Sequence, residues 1–543
     1  MNKKLWLFLV FGILTMVLIV GCGGDDGDNA APTAPEEKVI RHNYGPQPES
    51  IDPALNTTVN GGTLIIANFE GLTSLDEHDR PVPGVAKSWE LSEDGTTYTF
   101  HLREDAQWSD GQPVTAKDFA YAWKRVLEPG SKAKYAYQLF HIKNANNYHQ
   151  GKATAEDLGI KVVDDHTLKV ELVAPTPYFL NITAFPTLFP VRADIIEQHG
   201  EQWTKNPDTY IGNGPFKLVE WQSNEHMRFV KNKYYWNADA IKIDGIYETF
   251  IPDANSMLAS YQNDDIDIIE QVPLEQLDQL KKESKELQII PQLGTYYYAF
   301  NVTQAPFDDV RVRKAFNVAL DKEVITDQVR KSGIAAGALV PPGVPDAESG
   351  KEFREVGDQF FATKAEPEKA KKLLAEAGYP DGKEFPAVTL TYNTEEGHQQ
   401  IAEAALEMWQ QNLGINNIKL VGLGKKEFIA NRQKGDFQIA RHGWLGDYAD
   451  PATFLQLFIT GNDNNSTQWS NKEFDELIAK SRMSTSATER MKLLHQGEKM
   501  ILNEAIIIPV FHYTENIMIK DRIKNVHKSS LGFTYFDKAE MAS

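Results

Sequence analysis

One cysteine in 543 residues, at position 22, sets the terms on which this chain can fold. No intrachain disulfide can form, so burial and hydrogen bonding must hold the structure unaided. With 41% hydrophobic and 10% aromatic residues, the chain has enough apolar surface to do so. Its length exceeds the roughly 250 to 300 residues at which one core gives way to several. At least two lobes are therefore expected.

The position of that cysteine is equally informative. Lys3 and Lys4 precede an apolar stretch, residues 5–20, broken only by Gly12 and Thr15. At about 16 residues it is shorter than the ~20 that span a bilayer as a helix. The pattern reads as a signal peptide over residues 1–21. Leu18-Ile19-Val20-Gly21-Cys22 resembles the bacterial lipobox, in which the cysteine is acylated and becomes the new N-terminus. Acylation also accounts for a lone thiol in an exported chain, and several acyl chains together anchor durably. Residues 22–37, rich in Gly, Asp, Ala and Pro, read as a flexible tether. The expected location is thus extracytoplasmic, lipid-anchored to the cell membrane through Cys22.

The charge excludes one class of partner. There are 76 acidic against 56 basic residues, a formal net charge of −20; the leader holds two Lys and no acid, so its removal makes this −22. Nucleic acid is not expected as a partner, because phosphate recognition needs a basic footprint.

Strand and helix signals alternate along the body. Residues 38–44 and the period-two run 97–103 read as strands. Residues 116–126 carry Phe119, Ala122, Trp123 and Val126 on one helical face, with Thr115 as cap. Residues 310–329 read as one helix, as do 367–377, 398–413 and 428–433. Strands are expected at 387–392, 418–423 and 437–440, and this alternation predicts a mostly parallel α/β lobe over about 295–505.

Catalytic signatures are missing. The sequence has no Gly-x-Ser-x-Gly elbow, no phosphate loop ending in Gly-Lys-Ser/Thr and no His-Glu-x-x-His. Its 13 His are scattered without close ligand spacing. Neither an enzyme nor a metal or cofactor site is expected.

Three long segments then carry a family resemblance: VAKSWELSEDGTTYTFHLREDAQWSDGQPVTAKDF from Val85, IGNGPFKLVEW from Ile211 and GTYYYAFNVTQAPFDDVRVRKAFNVALDKE from Gly294. They resemble the extracellular solute-binding proteins of the peptide and nickel class. ARHGWLGDYADPATFL from Ala440 is most similar to the oligopeptide-binding lipoproteins of ABC importers. The resemblance implies an α/β, two-lobed periplasmic-binding-protein-like fold with three domains and a ligand cleft between the lobes. Domain I would be discontinuous (38–70, 195–295 and 510–543), domain II would fill 71–194 and domain III 296–509. It further implies a monomer that encloses oligopeptides and presents them to ABC permease subunits.

Such a cleft must recognise what every peptide shares. By resemblance, Thr57-Thr58-Val59 and Gly443-Trp444-Leu445 are edges that pair with ligand backbone, a form of strand addition. An enclosed ammonium needs an acid, and Asp447 matches the family position; alone, it would read as a turn cap in Gly-Asp-Tyr. Arg441, Arg432 and His398 match positions that take the carboxylate at stepped distances, though each alone would read as a surface or capping charge. Tyr135 and Trp444 match aromatic walls and Asn393 a nearby polar position, while a core role fits them equally. The pattern also departs from its relatives. Where enteric members bridge domain III with two cysteines, this chain has Gly294 and Leu445, and Lys425 replaces a pocket tryptophan. The same fold could instead serve dipeptides, signalling peptides or a nickel chelate, and an anchored hydrolase or chaperone is the rival from another class.

Overall fold

The computed structural model describes residues 37–542 apart from 349, 395, 396 and 463. The expected signal peptide, Cys22 and all but the last residue of the tether lie outside the described residues. Among those described, no helix is long and apolar enough to cross a membrane.

Two unusually long strands organise the molecule: Leu287–Phe300, with 14 residues, and Ile507–Ile519, with 13. Both are rich in β-branched and aromatic side chains, which suit a pleated, half-buried surface. At about 3.3 Å per residue each reaches more than 40 Å, far enough to serve two layers of structure. They pair antiparallel and lie in the middle of an eleven-stranded sheet. On one flank stand Ile439–Leu445, Val388–Asn393 and Ile418–Leu423; on the other stand Ile268–Ile269, Val39–Asn43, Gly245–Thr249, His226–Lys231 and Phe216–Gln222; the eleventh, Ile334–Ala335, pairs with Ile507–Ile519 beside this path. Their mutual register slips between Pro291 and Thr295 and again between Tyr296 and Tyr297. Bulges of this kind bend a strand and increase its twist, so the sheet turns where it passes from one half of the molecule to the other.

A separate four-stranded antiparallel sheet is built from Ala86–Leu91, Thr97–Leu102, Thr167–Glu171 and Ile160–Asp164. Strand Thr97–Leu102 alternates strictly between partly and fully buried side chains, as its period-two sequence predicts. Helix Ala116–Leu127 follows, with the Thr115 backbone N–H donating to the Asp118 carboxylate at 2.7 Å; Phe119, Ala122, Trp123 and Val126 are buried.

Two readings need correction. The sheet within residues 295–505 is mixed rather than mostly parallel. Val388–Asn393 runs parallel to both Ile418–Leu423 and Ile439–Leu445, but Leu287–Phe300 is antiparallel to its two neighbours. A chain that enters this half by one long strand and leaves by the other must cross in opposite directions. The helix expected over 310–329 is broken. It spans Val310–Val318; Asp321 then accepts from the Val324 backbone N–H at 3.0 Å and opens a new turn, which widens into a π-helical segment at Ile325–Arg330. Thr57-Thr58-Val59 lies where helix Val59–Asn68 begins: Thr58 is extended (φ −124°, ψ 149°) and caps the helix, its hydroxyl accepting from the Gly61 backbone N–H at 3.3 Å and satisfying an otherwise orphaned donor.

Candidate functional site

Strand Ile439–Leu445 carries most of the predicted site. One edge pairs with Leu287–Phe300 along its whole length, from Gly294↔Leu445 to Phe300↔Ile439. The other edge pairs with Val388–Asn393 only at Ile439 and Ala440. From Arg441 to Leu445 that second edge has no ladder partner among the described strands, which leaves backbone groups placed for an added strand.

At the far end of this strand the Gly446 N–H donates to Leu293 O at 2.7 Å, and Thr453 Oγ1 accepts from both the Trp444 indole and the Asp447 backbone N–H at 3.3 Å. These bonds present the Asp447 side chain, which receives the Tyr137 hydroxyl at 3.1 Å. Tyr135 lies beside Tyr137, ring centroids 5.7 Å apart, and packs on Phe185 at 5.3 Å. No cation pairs with Asp447 within 4 Å among the described residues. Desolvation accordingly pushes its carboxyl up to about 6, the Tyr137 hydrogen bond offsetting only part of the effect.

At the near end, Arg441 donates to the Tyr513 hydroxyl at 3.2 Å and to Asn393 Oδ1 at 3.5 Å, and its guanidinium sits 5.0 Å from the Tyr296 ring centre. Gly443 makes this possible, because a Cβ there would lie 2.5 Å from the Tyr513 hydroxyl. His398 begins helix His398–Leu413 behind Gly397, whose φ of 71° favours glycine. Its ring stands 5.6 Å from Tyr296. Burial, then Arg441, Arg330 and Lys425, push the imidazole down to about 3. His398 is therefore a neutral hydrogen-bonding group here rather than the cation expected from the sequence.

Arg432, on helix Lys425–Lys434, lies near enough to Arg441 for the two charges to repel. Its guanidinium lies 5.6 Å from the Phe428 ring centre, and burial holds it below its ordinary range, with Tyr297 the main offsetting group. Tyr297 in turn stacks on His442 at 4.6 Å, on the face of the strand opposite Arg441. Leu445, itself largely exposed, covers Gly294 so closely that an added Cβ would meet Leu445 Cδ2 at 2.4 Å; a leucine contact stands in the place of the absent disulfide.

Three contributors were not read from the sequence. Tyr137 and Tyr513 sit in aromatic-rich runs that read equally well as core. Arg330 ends the π-helical turn and stacks 4.5 Å over Phe511. Alternation along Phe511, Tyr513 and Glu515 was the one available signal, since it places these three on one face. Among the described residues no group of three or more His, Cys, Asp or Glu could hold a metal ion.

Residues 80–466 match the family described as bacterial extracellular solute-binding proteins, family 5 Middle. The chain belongs to the family 5 solute-binding proteins. Its match to the dipeptide-binding protein DppE of Bacillus subtilis (strain 168) is 36% identical over 539 residues, covering 98% of each chain. Among solved structures, the unliganded open form of the murein tripeptide-binding protein MppA aligns with a TM-score of 0.83 at 34% identity, over 93% of this chain and 98% of that one. The oligopeptide-binding protein OppA of Haemophilus influenzae, in complex with the peptide RPPGFSPFR, aligns at 0.70 with the same identity, over 94% and 99%. The fold is thus the α/β, two-lobed one of this family.

Proposed function

We propose that this protein captures extended peptides between its lobes and delivers them to an ABC permease. The amine would pair with Asp447. The carboxylate would be taken by Arg441, with His398 or Arg432 engaged according to peptide length. Backbone would pair along Gly443-Trp444-Leu445, with Thr57, Thr58 and Val59 opposite, while Tyr135, Trp444 and Asn393 line the walls. From Arg441 to Leu445 the strand covers about 13 Å, the reach of about four extended residues.

One observation carries this reading: Asp447 is a desolvated carboxylate with a hydroxyl but no cation beside it, across an unpaired strand edge from a guanidinium. An ammonium placed there would complete a charge-assisted hydrogen bond. The function is capture without chemistry, by a monomer held at the outer face of the cell membrane through acylated Cys22. The division into domain I (38–70, 195–295, 510–543), domain II (71–194) and domain III (296–509) belongs to the same reading, with the four-stranded sheet inside 71–194 and the long sheet shared by the other two. A dipeptide receptor is the second reading, favoured by the relative of that name.

Native mass spectrometry of the purified protein tests the proposal. A ladder of co-purified peptides of about two to five residues is expected. A ligand-free protein that also binds no added peptide would overturn it.

A further inference from the structure

Buried amide side chains are nearly always hydrogen-bonded, so an unpaired one calls for a partner. Gln138 is such a residue. It is 2% exposed, yet among the described residues neither its Nε2 nor its Oε1 has a hydrogen-bond partner. The amide carries two donors and an accepting oxygen, and leaving them unmet opposes folding. A leucine or methionine would fill a site of this size without that cost. The polar ends therefore answer to something other than stability.

Gln138 sits in the 3-10 turn Ala136–Leu139, which packs on helix Ala116–Leu127. Its backbone N–H donates to Tyr135 O at 3.0 Å, so the turn is complete without the side chain. Tyr137, the residue before it, is 43% exposed and sends its hydroxyl to Asp447 at 3.1 Å. Burial and Asp447 push that hydroxyl up, and the Gln138 amide lies near enough to act on it in the opposite direction. Burial and Asp447 likewise push up the hydroxyl of Tyr135. Two tyrosines, the amide and the acid are thus gathered just beyond one end of strand Ile439–Leu445.

A terminal ammonium has three N–H donors and needs an acceptor for each once water is excluded. Asp447 Oδ1 is already committed to the Tyr137 hydroxyl. A neutral acceptor beside the carboxylate completes the shell without adding a like charge that would drive Asp447 toward its protonated form. An amide oxygen is such an acceptor.

We infer that the Gln138 amide oxygen is a second ligand of the peptide's terminal ammonium, beside Asp447, with the amide NH2 donating to the Tyr137 hydroxyl. The assignment rests on the peptide-capture reading and adds a residue to its amine site. Tyr137 donates to Asp447 and accepts from Gln138, so one chain of hydrogen bonds orders both ligands. The arrangement selects a primary ammonium. N-acetylation leaves one N–H and no charge, too few donors to satisfy both acceptors.

The test compares Gln138→Leu and Gln138→Met with the wild type; each nearly keeps the volume and removes both polar ends. In calorimetry, trialanine should bind both variants more weakly by about tenfold or more, the usual effect of losing a hydrogen bond to a charged group. N-acetyl-trialanine should bind variants and wild type alike. The melting temperature of the unliganded protein should stay level or rise, because an unmet buried amide is gone. Unchanged trialanine affinity in folded variants would overturn the assignment. So would equal losses for both peptides with a lower melting temperature, the mark of a merely structural glutamine; peptide capture would stand in either case. A wild type that binds neither trialanine nor any other peptide would sink peptide capture, and the assignment with it.

Discussion

Asp447 combines two properties, a desolvated carboxyl and, among the described residues, no cation within 4 Å of it. Its position near 6 gives a pH dependence with a definite sign. A bound ammonium favours the ionised form, so the carboxyl falls on binding. Affinity should be full above about pH 7 and drop as pH falls through 6, approaching about tenfold per unit at the acid end for one linked proton. A peptide amine near 8 begins to lose its charge above that value, which leaves a plateau of about pH 7 to 8. Calorimetric titrations across this range should trace both limbs, and Asp447→Asn should lose the acid one. An acid limb that survives in Asp447→Asn would assign it to another group. His398 carries a related lesson. The sequence placed it among the cations, but the charges of Arg441, Arg330 and Lys425, added to its burial, keep it neutral. No spacing in the sequence encodes that.

At the scale of elements, reading was best where a stop signal is local. Helix His398–Leu413 and strand Ile418–Leu423 lie where periodicity put them, because Gly414 at φ 74° ends the helix whatever surrounds it. Reading failed where the cause is distant. Strand direction is set by how the chain enters and leaves a lobe, so the antiparallel pair at the centre of the mixed sheet left no trace in periodicity. Gly443 shows how finely a strand can specify the site. In Gly443→Ala the new methyl would displace the Tyr513 hydroxyl from Arg441, since the two cannot share a 2.5 Å separation. Peptide affinity should fall about tenfold, the usual worth of one hydrogen bond to a charged group. The melting temperature should hardly change, because the group displaced is a side-chain hydroxyl and the strand backbone keeps its pairing. Unchanged affinity in calorimetry would mean that Tyr513 does not position the guanidinium.

The molecule as a whole is built on a long central sheet that runs through both lobes, stabilised without a disulfide. Its length and lone cysteine already called for several cores held by burial alone, and the two long strands supply the single path that joins them. Lobe closure over a ligand would bring the edge after Arg441 and the capped helix at Val59 toward each other, with Asp447 and Arg441 at the two ends of the enclosed chain. Recognition by the ends is what allows many side chains to be accepted, with ordered water filling the remainder. That claim is tested most directly by calorimetry of one peptide in free and N-acetylated forms against wild type and Asp447→Asn. The account predicts that Asp447→Asn weakens the free peptide by about tenfold or more through loss of a charge-assisted contact, and leaves the acetylated peptide nearly unaffected. Equal losses for both forms would contradict it.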